Sequence, residues 1–131
     1  MLRQNKAGEM TDPGIDRRKL DLDIALSHVD GDLQLLGELA ALFLQDYPRL
    51  RDELRDSISK KDPSSLERAA HTLKGRLAFF GIQKVREQAL GLEMIGRAQN
   101  LAQAPQSLSE IEAEMESILP EFEILAREQN K

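Results

Sequence analysis

The stretch DLQLLGELAALFLQDYPRLRDELRDSISK, Asp32 to Lys60, carries Leu36, Ala40, Phe43, Tyr47, Leu50, Leu54 and then Ser57/Ile58 at steps that alternate between four and three. That recurrence puts all of them on one face of a long α-helix. Asp32, just after Gly31, is a suitable N-cap. Pro48 falls inside the stretch. A proline there removes a hydrogen bond and crowds the preceding turn, so a kink is expected.

Working outward, LDLDIALSHV (Leu20 to Val29) reads as a short first helix, and Asp30-Gly31-Asp32 breaks it. Downstream, Asp62-Pro63 supplies a cap followed by a proline at the first helical position. The third helix runs from there to Phe79 or Phe80, and Gly81 ends it. A fourth helix covers Ile82 to about Ala98, with Ile82, Val85, Ala89, Leu92 and Ile95 inward. Asn100 to Gln103 form a short polar link. Pro105 opens a last helix to about Glu128, with a bend expected at Pro120. Four long amphipathic helices joined by short links make neighbours antiparallel. The expectation is an all-α fold: an antiparallel up-down-up-down four-helix bundle with a short N-terminal helix. Residues 1–15, polar and ending near Asp12-Pro13-Gly14, read as a flexible tail, and residues 16–131 as the bundle domain.

Composition agrees. The 131 residues suit one domain, aromatics are only 4%, and the abundant types are good helix formers. The net charge of -5 argues against a nucleic-acid backbone as ligand. There is no Cys, which excludes disulfides and thiolate metal sites and is compatible with a cytoplasmic setting. No apolar run approaches the ~20 residues of a membrane span.

The third helix holds AAHTLKGRLAFFG, Ala69 to Gly81. At about 100° per residue, Leu66, Leu73, Leu77 and Phe80 fall on the arc opposite His71. His71 therefore faces solvent. Lys74 and Gly75 lie within about 60° of it, with Ser64, Glu67, Arg68 and Ala78 in the same arc. A helical Gly costs ~1 kcal/mol relative to Ala. Here it opens space one turn from an imidazole that has a cation beside it. That combination suits a nucleophilic or phosphoryl-accepting His.

AHTLKG (70–75), followed by the Phe80-Gly81 pair, resembles the signature of histidine-containing phosphotransfer domains, the HPt modules of multistep phosphorelays. DGDLQLLGELAALFLQDYPRLRDEL (30–54) resembles the second helix of that family, and LERAAHTLKG (66–75) its phosphorylated region. Gly81 and Leu92-Glu93 also fall where the family has them. The resemblance covers about Asp16 to Arg127. Arg76 and Leu77 stand where the family usually has small residues, and Phe79 stands near a common Asn.

The resemblance implies that His71 accepts a phosphoryl group on Nε2 from a receiver-domain aspartyl-phosphate and passes it to another receiver Asp. Lys74 would offset charge on the phosphoryl oxygens, and Gly75 would let the receiver approach. Ser64, Arg68, Ala78 and Phe79 are the expected docking rim, beside exposed residues of the second helix. The chain would need no cofactor, since Mg²⁺ belongs to the receiver. It would have no kinase activity of its own. Its partners would be response-regulator receiver domains and a hybrid sensor histidine kinase, met in the cytoplasm by a monomer. His28 lies in no motif and receives no role. The acidic clusters EIEAEMES and DLDLD read as solvated faces rather than a metal site, because Ala25 and Arg68 stand three residues before the two histidines. A non-catalytic helical adaptor is the alternative, and it leaves the His-Lys-Gly constellation unexplained. A histidine-kinase dimerisation domain would need a nucleotide-binding domain for which this length has no room.

Overall fold

The computed structural model describes residues 13–130. Among the described residues there are five α-helices: α1 Leu22–Ser27, α2 Leu33–Ser59, α3 Pro63–Phe79, α4 Gln83–Ala98 and α5 Ala104–Ala126. Single 3₁₀ turns follow α4 (Leu101–Gln103) and α5 (Arg127–Asn130). Asp21, Asp32 and Asp62 cap α1, α2 and α3, their carboxylates accepting the N–H of Ile24, Leu35 and Ser65. Each cap satisfies a donor that a helix start leaves orphaned. Because Asp21 takes the cap position, α1 is shorter than its apolar pattern suggests. Leu20 and Val29 lie outside the helix, yet both are buried. That pattern marks burial, not helix length. Pro48 and Pro120 sit on exposed faces and interrupt neither α2 nor α5. Of the expected N-terminal tail, residues 1–12 lie outside the described residues, and Ile15 is buried.

The long helices run antiparallel. His71 meets Glu93 and Glu67 meets Arg97 across α3 and α4. Arg55 meets Glu112 on α5, and Gln34 reaches Gln129 just past its end. In each pairing the numbers rise along one helix as they fall along the other. The α2 stripe from Leu36 to Leu54 is wholly buried, and Leu66, Ala70, Leu73 and Leu77 answer it from α3. Phe43 stacks on Phe122 with centroids 4.4 Å apart, and Phe80 packs edge-on against Phe122 at 4.8 Å. Both are favoured aromatic geometries.

Two glycines set how closely α1, α3 and α4 meet. Gly81 ends α3 at φ +69°, and a Cβ there would stand 2.8 Å from the Cβ and carbonyl oxygen of Asp21. Its carbonyl accepts the Asp21 N–H at 3.1 Å, which seats α1 on the α3–α4 turn. At Gly96 a Cβ would lie 2.8 Å from the Glu67 nitrogen and 2.9 Å from the Pro63 oxygen. The missing side chain lets the α3 and α4 backbones come together. Among the described residues no helix is long and apolar enough to cross a membrane.

Candidate functional site

His71 stands on α3 with 66% of its side chain exposed. Its Nδ1 lies 2.9 Å from Oε2 of Glu93 on α4. Glu93 is only 3% exposed. Isolated burial would be costly for a carboxylate, so its partners matter. Lys74 Nζ lies 2.7 Å from Oε1, and an Arg97 guanidinium nitrogen lies 3.3 Å from Oε2. Arg97 is itself held by Glu67 at 2.9 Å. The Lys74 ammonium holds the Glu93 carboxyl below its ordinary range; burial opposes this and the His71 ring assists.

An ionised carboxylate can only accept a hydrogen bond. In the neutral imidazole Nδ1 must therefore carry the proton and donate it to Glu93. The other nitrogen, Nε2, keeps its lone pair. Fixing one ring nitrogen with an acceptor orients the imidazole and defines what the other can do. An exposed histidine becomes a ring with a set tautomer and orientation.

Outward from His71 the helix face is bare. Among the described residues, nothing beyond its chain neighbours and its own stretch of helix backbone lies within 4 Å of a Cβ built on Gly75. On the α2 side the ring borders an open, mainly apolar groove between α2 and α3. Leu39, Leu42 and Phe43 line it from α2, and Gly75, Phe79 and Phe80 from α3 and its end. Leu42 is 57% exposed, high for a leucine on a helix in the middle of the chain. Arg76 pairs with Asp46 across the groove, and Asp46 also accepts Arg49.

The sequence-derived residues thus separate. His71, Lys74 and Gly75 share one patch, but Lys74 is directed to Glu93 and is only 24% exposed along its side chain. Of the four rim residues, Phe79 lines the groove. Ala78 is exposed. Ser64 is exposed in the first turn of α3, and Arg68 donates to Ser65 Oγ at 3.1 Å beside a separate polar cleft with Glu53 and Asp56. Glu93 and Arg97 carry no role in the sequence reading. One signal for Glu93 was there: Ala89, Glu93 and Gly96 follow helical spacing, and a charge between two small residues on a packed face needs partners.

The Hpt domain family matches residues 38–120, which include all of this constellation. The chain is an Hpt domain. It is a histidine phosphotransfer module of the phosphorelay type. No curated protein matches it. Among solved structures it is similar to histidine-containing phosphotransfer protein B (HptB) from Pseudomonas aeruginosa PAO1, with a TM-score of 0.75. The two are 21% identical over 86% of this Hpt domain and 96% of the other chain. At that identity the likeness speaks for the helical bundle.

Proposed function

We propose that this Hpt domain carries its phosphoryl group on His71 Nε2, taking it from an aspartyl-phosphate of one receiver domain and delivering it to the Asp of another. The observation that carries this reading is the Nδ1–Glu93 contact of an otherwise solvent-facing imidazole. In the forward step the Nε2 lone pair attacks phosphorus. The P–N bond forms, the P–O bond to the receiver Asp breaks, and that Asp leaves as a carboxylate. The ring gains positive charge as it does so, and its Nδ1–H strengthens its bond to ionised Glu93. Delivery to the second receiver is the reverse displacement.

Lys74 serves the step first through Glu93. It balances the buried carboxylate and keeps it ionised, and it lies one turn from where phosphoryl oxygens arrive. Phosphoryl transfer depends mainly on positioning and charge neutralisation. Mg²⁺ comes with the receiver, and the chain requires neither a cofactor nor a kinase activity of its own. The receiver approaches over Gly75 and seats on the apolar groove, with Phe79 and Ala78 as contacts; Ser64 and Arg68 contribute at the far rim. The module works as a cytoplasmic monomer between a hybrid sensor kinase and its response regulators.

The test is transfer from purified, phosphorylated receiver domains of the same organism. Wild type should acquire an acid-labile label. His71→Gln should acquire none while keeping its helical circular dichroism, and His28→Gln should label as wild type does. Label retained in His71→Gln assigns the chemistry elsewhere.

A further inference from the structure

His28 carries no phosphoryl chemistry in this reading, yet it is not a loose surface residue. Its ring stacks on Phe79 with centroids 4.8 Å apart and planes 25° from parallel. Its Nδ1 lies 2.9 Å from the Phe79 carbonyl oxygen. A carbonyl can only accept, so Nδ1–H donates. That carbonyl belongs to the last residue of α3, where helical carbonyls lack intrahelical partners and the helix dipole is negative. One side chain thus engages both the backbone and the ring of Phe79.

Phe79 has two neighbours of different kinds. On the inner side it packs edge-on against Phe80 at 5.2 Å, which is anchored in the Phe43–Phe122 cluster. On the outer side it lines the groove that begins at His71. His28 occupies the C-cap of α1. Asp21 N–H on Gly81 O, and the buried Leu22, Ala25 and Val29, fix α1 to the bundle. The short N-terminal helix therefore reaches Phe79 on the phosphotransfer face through the His28 side chain.

We propose that His28 is a positioning residue for receiver docking. It holds the Phe79 ring as the end wall of the groove, so that α1 sets the shape the receiver meets. The proposal rests on the phosphotransfer reading and on the groove as the seat of the receiver. A phenylalanine free to rotate would have to be immobilised by each incoming partner. Restraining it beforehand removes that ordering cost from binding. The effect belongs in receiver affinity and not in the chemical step, because nothing in the His28–Phe79 contact touches His71 or Glu93.

The experiment uses the full chain and the receiver domain from the same organism that transfers fastest to wild type, phosphorylated with acetyl phosphate. Four proteins are compared: wild type, His28→Ala, Phe79→Ala and the double variant. His28→Phe is the rescue, since it keeps the stacked ring without the hydrogen bond. His28→Ala should raise KM for the phosphorylated receiver about tenfold with kcat little changed, the scale of losing one well-placed interface contact. His28→Phe should recover part of that loss. In the Phe79→Ala background the second substitution should add nothing. Phosphoramidate, a small donor that needs no docking, should label His71 in His28→Ala as it does in wild type. An unchanged KM in His28→Ala overturns the proposal, as does a full effect that persists without Phe79. Equal loss of phosphoramidate labelling would mean that His28 supports the fold and not the docking wall. Failure of wild type to accept from any receiver would sink the functional reading itself, and this proposal with it.

Discussion

Gly75 in α3 and Gly96 in α4 both interrupt good helical sequence, and their surroundings are opposite. Around Gly96 a side chain would press on the backbone of Glu67 and Pro63 within 3 Å; around Gly75 it would meet nothing beyond its own helix among the described residues. Gly96 is a packing glycine. It brings α4 close enough for Glu93, one turn earlier, to reach His71. Gly75 contributes nothing to packing and leaves the helix weaker than Ala would. In the proposed function its value lies outside the molecule, in what must approach His71. On that proposal the same residue type serves fold in one helix and function in its neighbour, and only the neighbouring atoms tell them apart.

The widest separation should come from Gly75→Gln. The variant should fold and melt at or slightly above wild type, because the site is open and Gln is a better helix former than Gly. Its transfer rate from a phosphorylated receiver should fall by about a hundredfold, the scale of a small misplacement at a reacting centre. Wild-type kinetics in that protein would erase the functional half of the comparison. Gly96→Ala should behave in the reverse sense. Forcing one methyl against backbone costs ~1–3 kcal/mol, read as a lower urea midpoint at unchanged slope. Its labelling by phosphoramidate should also slow as the Glu93–His71 contact lengthens. If Gly96→Ala is as stable as wild type, the close approach of the two helices is not constrained there.

Acid sharpens the contrast further. The folded chain holds Glu93 below its ordinary value of 4.5, through Lys74 first and His71 less strongly. A carboxylate lowered on folding adds stability that is complete above its unfolded pKa. That stability is lost as pH falls through the folded value. Urea midpoints measured downward from pH 6 should therefore decline more steeply below about pH 4.5 in wild type than in Glu93→Gln. Parallel curves would mean that the Glu93 ion pairs contribute nothing to the folded state. The smallest effect is Gly75→Ala, which should raise stability by up to ~1 kcal/mol, visible as a modest rise in Tm.

Much of the bundle could be read before its coordinates, because helical periodicity is a local property. The α2 stripe that predicts burial at Leu36, Ala40, Phe43, Tyr47, Leu50 and Leu54 is buried at each of them. The exposure of His71 and the opening at Gly75 follow from the same geometry within one helix. What stayed hidden crosses between helices. Glu93 is 22 residues from His71, and its role depends on how deeply α4 settles against α3. Lys74, expected to await a phosphoryl group, is taken by that carboxylate. His28 and Phe79 meet across 51 residues. The polar rim residues Ser64 and Arg68 share the His71 face of α3. The groove opens instead on the α2 side, because Leu39 and Leu42 leave it unfilled there.

The His71–Glu93–Lys74–Arg97 cluster lies entirely within α3 and α4, which are consecutive in the chain. The groove wall draws on α2 as well as on α3, and His28 of α1 stacks on the Phe79 that lines it. Part of the docking groove thus lies outside the two helices that hold His71 and Glu93. On the proposed docking, substitutions in α1 or on the outer stripe of α2 would alter partner choice without touching His71 or Glu93. A chimera carrying the first two helices of another such bundle would exchange that part of the groove while keeping the His71–Glu93–Lys74 cluster. Such a layout lets a duplicated copy acquire a separate pathway in small steps, each one leaving a working phosphoryl carrier.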